Sequence, residues 1–216
     1  MIYLVVGFIG AFLMFCGDML LYYDPHDFNY EPGDSFEVKM KAILEIMVRV
    51  SPKRLMAGGL LGPIAAFLYC IGYYHIVVIS NENVKIVAMI AFLLLCFGII
   101  AGGAYHSHCA YLGLLPRFLT EDKFNELKNV FMDYFKKMLF VLYFGEGIGY
   151  ILLIILIITK NTLLPRWAFV CSPLFLMALK PIIGRLPKGI RIIISGGWSN
   201  LISVIYYGIA IVCMLI

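Results

Sequence analysis

Apolar residues fall along the chain in six long runs, at about residues 3–23, 55–80, 84–114, 137–159, 167–183 and 190–216, parted by short polar stretches. A run of about 20 apolar residues is the length that crosses a bilayer as a helix. A helix also satisfies every backbone N–H and C=O within the segment, as hydrocarbon requires. The pattern predicts an all-α, polytopic membrane helix bundle of six transmembrane helices, with residues 1–216 forming one integral membrane domain. The third run is long enough to tilt or to leave the membrane at its end.

Two polar stretches carry helical periodicity of their own. Phe36, Met40, Ile43, Leu44, Met47 and Val50 recur on one face, with Glu37, Lys39, Lys41, Glu45 and Arg49 on the other. This amphipathic helix between spans 1 and 2, ended by Ser51-Pro52, suits either the inner membrane surface or a connector packed over the bundle. A second helix starts at Thr120, an N-cap residue followed by Glu121 and Asp122 in the first turn. Its stripe of Phe124, Leu127, Phe131 and Phe135 leads straight into the fourth span.

Composition agrees: 62% of residues are hydrophobic, 14% are charged, and the mean hydropathy is +0.94. Soluble domains are about 45–50% apolar and about 25% charged, so a water-soluble globule, a disordered tail and a disulfide scaffold are excluded. Of the 17 Lys and Arg, fourteen lie in segments 24–54, 115–137 and 180–191; only Lys85, Lys160 and Arg166 lie in the alternate loops. The positive-inside rule then puts these three segments in the cytoplasm and both termini outside the plasma membrane. The net charge of +4 is met by basic loops on an anionic leaflet and needs no nucleic acid. The N-terminus lacks a basic n-region and reads as an uncleaved span. Leu13-Met14-Phe15-Cys16 is unlike a lipoprotein cleavage site because Phe15 is bulky. All six cysteines sit in apolar segments without a Cys-x-x-Cys pair and read as small buried hydrophobes.

Strongly polar side chains inside spans are costly and mark sites by default. Asp18 stands beside Gly17, Glu146 lies deep in Gly145-Glu146-Gly147 with Tyr150 one turn on, and Asn200 follows Gly196 by one turn. His106 follows Gly102 at the same spacing; His108, about 200° round the helix, is placed at the interface. A polar side chain one turn from a glycine points into a close helix contact. Asp18, His106, Glu146, Tyr150 and Asn200 are therefore the ligand-binding or proton-handling candidates. Each also has a plain structural reading: Asp18 as a snorkelling or loop-paired carboxylate, His106 as a satisfied core histidine, Lys180 as a snorkelling topology signal. His26 and His75 receive no role. Gly58-Gly59-Leu60-Leu61-Gly62-Pro63 reads as a packing or kinking element, since a phosphate loop needs a Lys-Ser/Thr and a preceding strand.

Echoes between the two halves (Gly17-Asp18 with Tyr22, Gly145-Glu146 with Tyr150) do not keep a constant spacing, so no inverted repeat is inferred. Leu164-Pro165-Arg166-Trp167, ahead of the fifth run, resembles a feature of several small bacterial polytopic membrane protein families of unknown function. The resemblance implies a bacterial membrane location and adds no site residue.

Three functions fit: a cytoplasm-facing polar cavity that binds a small ligand or lipid, a lipid- or isoprenoid-modifying enzyme using Glu146 and His106, or a proton-coupled small-solute transporter. The expected partners are the lipid bilayer and that small-molecule or lipid ligand. No cofactor is specified. A divalent metal on Asp18, His106 and Glu146 is conceivable, but no His-x-x-x-His motif is present.

Overall fold

A computed structural model describes residues 1–25, 35–183 and 185–216; His26, given no role above, lies outside them. The described residues are helical nearly throughout. In chain order they form α1 (Ile2–Tyr22), α2 (Phe36–Arg49), α3 (Pro52–Tyr73), α4 (His75–Ile79), α5 (Lys85–Leu114), α6 (Glu121–Ile158), α7 (Pro173–Met177), α8 (Lys180–Ile183) and α9 (Lys188–Leu215). Among the described residues, five stretches are long and apolar enough to cross a membrane: Ile2–Tyr22, Pro52–Ile79, Glu82–Arg117, Glu121–Ile158 and Gly196–Leu215.

The fifth expected helix, 167–183, is not one helix. A 3-10 turn over Arg166–Cys171 is followed by the short α7 and α8. Pro165, Pro173, Pro181 and Pro187 crowd this stretch, and each lacks the N–H that a continuous helix uses. The backbone instead bonds at short range, Ala168 N–H to Pro165 C=O and Ala178 N–H to Phe175 C=O among them.

Neighbouring helices run antiparallel. Gly7 faces Gly72 and Gly17 faces Gly58 across α1 and α3; Gly59 faces Ala110 and Gly62 faces His106 across α3 and α5; Gly98 faces Glu146 across α5 and α6. On the other side of α1, Gly197 meets Phe15 and Gly208 meets Phe8, so α9 is antiparallel to α1. The helices thus lie in the order α9–α1–α3–α5–α6. Because α6 and α9 run in the same direction, the chain between them must return along the whole bundle. The broken stretch makes that return, packing against both α6 and α9.

Small residues set the spacing. A Cβ on Gly72 would lie 2.3 Å from the Cα of Gly7, and one on Gly62 would lie 2.3 Å from the Cβ of His106. Only a residue without a side chain lets these backbones meet, the device by which helices associate where lipid supplies no hydrophobic drive. The Gly58–Pro63 run acts as packing: its three glycines fit against α1 and α5.

At one end of the bundle, Ser80 and Thr162 form an antiparallel bridge, and Leu163 N–H bonds the C=O of Ile79. Helix α6 stops there with Asn161 N–H bonding Leu156 C=O and Lys160 N–H bonding Ile157 C=O. Lys160 takes the left-handed φ of 58° usually left to glycine. At the opposite end, α2 buries Met40, Ile46, Met47 and Val50 against the bundle. Arg117 donates to the C=O of Val48 and of Val50, and Lys136 pairs with Glu37 at 2.5 Å. These four apolar side chains pack on the protein. Ser51 caps α3, accepting from Arg54 N–H. Thr120 occupies the N-cap position of α6 without a side-chain cap bond, and α6 runs unbroken for 38 residues through the expected fourth span.

Candidate functional site

Beneath α2 lies a cavity of about 260 Å³. Its walls come from α1, α2, α5, α6, α8 and α9, and they hold four of the five candidates: Asp18, His106, Glu146 and Asn200. Each is delivered by a helix contact that a glycine makes close.

Asp18 is the hub. Its Oδ2 accepts from Asn200 Nδ2 at 2.7 Å, and its Oδ1 lies 3.2 Å from His106 Nε2. Both oxygens are thus met by nitrogen donors, an arrangement that suits a carboxylate, whose oxygens only accept. Asn200 Oδ1 in turn accepts from the hydroxyl of Tyr69 at 3.2 Å. The result is a chain His106–Asp18–Asn200–Tyr69 that ties α5, α1, α9 and α3 together. Asp18 and His106 are 3% and 5% exposed, so the chain sits well away from bulk water.

The second nitrogen of His106 does not reach the cavity chemistry. Nδ1 is buried without a hydrogen-bond partner, and a Cβ built on Gly17 would lie 3.2 Å from it. A bare lone pair costs less there than an unpaired N–H, so we place the proton on Nε2, facing Asp18. Carboxylate and imidazole resemble half of a nucleophile-activating triad. The free nitrogen, however, is turned to the α1 backbone rather than to a hydroxyl or thiol.

Glu146 lines the same cavity at another depth. It packs on Gly98, and His106 lies eight residues further along α5, about 12 Å at about 1.5 Å per residue. The Tyr73 hydroxyl is its polar neighbour, and Tyr73 meets the Tyr150 hydroxyl at 3.1 Å. Tyr150, expected at the site, is buried in this tyrosine pair and does not line the cavity. His108 turns the other way, bonding its Nδ1 to Ala104 C=O at 2.8 Å and packing on Tyr134. His75, 2% exposed, bonds the Tyr206 hydroxyl at 2.8 Å near the opposite end of the bundle. Among the described residues no group of three His, Cys, Asp or Glu side chains could hold a metal ion.

Residues 1–215 match the family of unknown function DUF6796. The chain belongs to that family. No curated protein and no solved structure matches it.

None of the remaining cavity residues was a site candidate from the sequence. Tyr22 and Tyr105 are two of fourteen tyrosines in a chain rich in aromatics; Tyr22 stood out only by its spacing from Asp18, and nothing in the spacing of Tyr105 distinguishes it. Ser199 and Ser203 flank Asn200 on α9, and their place next to it is the one signal that was available. Lys39 and Lys180 lie in connecting segments, and only tertiary folding brings them to the cavity. Away from the cavity, the Glu37 carboxyl is held below its usual range, first by its hydrogen bond from Lys136.

Proposed function

We propose that this is a bacterial inner-membrane protein that crosses the bilayer six times, the fifth crossing made by the broken stretch, and binds a small ligand or lipid in the cavity beneath α2. Both termini lie outside the cell, and the cavity faces the cytoplasm. The orientation is supported by the basic residues gathered in segments 24–54, 115–137 and 180–191. The resemblance of Leu164-Pro165-Arg166-Trp167 to bacterial membrane families supports the location.

The observation that carries the binding reading is the hydrogen-bonded chain His106–Asp18–Asn200 on the wall of a cavity that also holds Glu146. Buried polar groups are expensive in a bundle, and here a chain of them bonded to one another lines open space. At about 260 Å³ the cavity lies just under the range for drug-sized ligands. It suits a small solute or the head of a lipid.

The test compares what co-purifies with the native chain and with Ser199→Trp, which puts a bulky side chain on the cavity wall. Organic extraction and mass spectrometry should find a small molecule or lipid on the native protein that the variant lacks. Equal retention by both overturns the reading.

A proton-coupled transporter is the second reading, favoured by one observation: the Tyr73–Tyr150 hydroxyl pair leads away from Glu146 into the bundle. It requires pH-dependent solute flux in liposomes that Glu146→Gln removes. A lipid- or isoprenoid-modifying enzyme is supported less, because the free nitrogen of His106 faces no nucleophile.

A further inference from the structure

Two hydrogen-bonded groups meet at α9. One joins Asp18, Asn200 and Tyr69; the other joins Glu146, Tyr73 and Tyr150. Ser203 stands between them, its hydroxyl within hydrogen-bonding reach of the phenols of Tyr69 and Tyr150. Ser203 Oγ also lies 3.4 Å from the C=O of Ser199, a long contact that competes weakly. Tyr69, Tyr73, Tyr150 and Ser203 are all buried, so their choice of partner is made within the protein.

The direction of the first group is fixed. A carboxylate only accepts, so Asn200 turns its Nδ2 to Asp18 and its Oδ1 to Tyr69. The one hydroxyl proton of Tyr69 is committed to Asn200, and the Tyr69 oxygen is left to accept. The second group is reversible, because each hydroxyl donates once and also accepts. With Glu146 ionised, Tyr73 donates to it, Tyr150 donates to Tyr73, and Ser203 donates to Tyr150. With Glu146 protonated, the acid has an O–H to give to Tyr73. Tyr73 then donates to Tyr150, Tyr150 to Ser203, and Ser203 to the waiting oxygen of Tyr69. One proton is gained by the carboxyl from the cavity; no other O–H bond breaks, and three hydroxyls turn.

The surroundings of Glu146 favour this outlet. Tyr69 and Tyr73 face it from α3, and Tyr143 and Tyr150 from its own helix. Of these, Tyr73 is its hydrogen-bond partner. Helix α5 brings it Gly98, with His106 about 12 Å further along, and α9 brings the uncharged Ser203. Asp18 from α1, Lys39 from α2 and Lys180 from α8 line the same cavity.

We infer that Glu146 is a proton switch whose state is carried to Asn200 by reversal of the hydroxyl chain Tyr73–Tyr150–Ser203. Ser203 is the positioning residue that joins the two groups. Because Glu146, Ser203 and Asn200 all line the cavity, one proton on α6 sets the donors and acceptors that α9 presents to a ligand. The switch works without a ligand, so it stands or falls apart from the binding reading above.

The experiment uses the full chain in lipid nanodiscs, stepped between acidic and alkaline buffer. Infrared difference spectra should show a carboxylic C=O stretch that vanishes on the alkaline side and is missing in Glu146→Gln. A change in the tyrosine C–O stretch, which distinguishes a donating from an accepting phenol, should accompany it and fall at least twofold in Tyr150→Phe. In nuclear magnetic resonance of the same samples, the Asn200 side-chain amide signals, assigned with Asn200→Leu, should shift across the same step. That shift should fall at least twofold in Ser203→Ala, with the Glu146 band retained and the circular dichroism unchanged. If Ser203→Ala does not fold, Tyr150→Phe carries the same expectation at Asn200. A native protein without the Glu146 band has no switch there. A band that comes and goes while the tyrosine stretch stays still shows that the chain does not turn. An Asn200 shift that persists in Glu146→Gln comes from the Asp18–His106 pair instead, and one that persists in both Ser203→Ala and Tyr150→Phe bypasses the chain; either overturns the relay.

Discussion

Asn200 spans two partners: its amide nitrogen donates to Asp18 at 2.7 Å while its amide oxygen accepts from Tyr69 at 3.2 Å. One side chain on α9 therefore orients the carboxylate on α1 and the phenol on α3. Replacing it with leucine, similar in size, leaves Asp18 Oδ2 and the Tyr69 hydroxyl without that partner. Asn200→Leu should cost about 0.5–1.5 kcal/mol, less than the roughly 1–3 kcal/mol of a buried group stripped of its partner, because hydrogen bonds between membrane helices average below the aqueous expectation. Thermal unfolding in detergent reads this, and an unchanged midpoint would show that the chain is not a structural tie.

Two glycines make a matched pair. A Cβ on Gly62 would collide with His106 and with the backbone oxygen of Gly103, whereas one on Gly147 would meet nothing within 4 Å. Gly62→Ala should force α3 and α5 apart and destabilise by about 1–3 kcal/mol, the usual cost of overpacking. Gly147→Ala should be neutral or stabilise by up to about 1 kcal/mol through helix propensity. Their order in a thermal series checks whether α3–α5 proximity holds.

Lys160 adopts a left-handed backbone at the end of α6. Lys160→Gly removes a conformational cost of about 1–2 kcal/mol and adds chain entropy worth about 0.5–1 kcal/mol. The net expectation is a modest stabilisation. Hydrogen exchange of the Asn161 amide, which bonds Leu156 C=O, should slow in the variant.

The Glu37–Lys136 pair joins α2 to α6 on the outside of the protein. Because the folded pKa of Glu37 is depressed, chiefly by the Lys136 hydrogen bond, its contribution is present above the unfolded carboxyl range of about 4.3 and fades as pH falls through the folded value. Protection factors for hydrogen exchange in α2, corrected for the intrinsic pH dependence, should therefore fall on acidification below about pH 4.3, and Glu37→Gln should remove that part of the response. Added salt should weaken the pair, since both partners are solvent-exposed.

Five helices were legible because the ends of an apolar run mark where a chain leaves lipid. The expected 3–23 and 84–114, for instance, stand as Ile2–Tyr22 and Lys85–Leu114. The fifth run is not one helix because its composition is apolar while its prolines remove donors inside it; hydropathy reports the first and is blind to the second. Asp18, His106, Glu146 and Asn200 stood out because such side chains are rare in apolar runs. Tyr150 shared a helix face with Glu146 but turned to Tyr73, a choice made by the neighbouring helix rather than by spacing. The lysines of α2 and α8 reach the cavity only through folding of the connecting segments, and one chain's linear pattern carries no trace of that.

The broken stretch also bears on how the protein is made. In the six-crossing arrangement proposed above, a segment that cannot close its own hydrogen-bond ladder is a poor solo passenger for the insertion machinery, since unmet backbone polarity opposes transfer into hydrocarbon. Its shelter is provided by α6, synthesised before it, and α9, synthesised after it. A nascent chain halted ahead of Lys188 would leave 166–183 without its second wall. Biogenesis should therefore wait on the last helix, and C-terminal truncations should be cleared by membrane proteases rather than accumulate as shorter bundles.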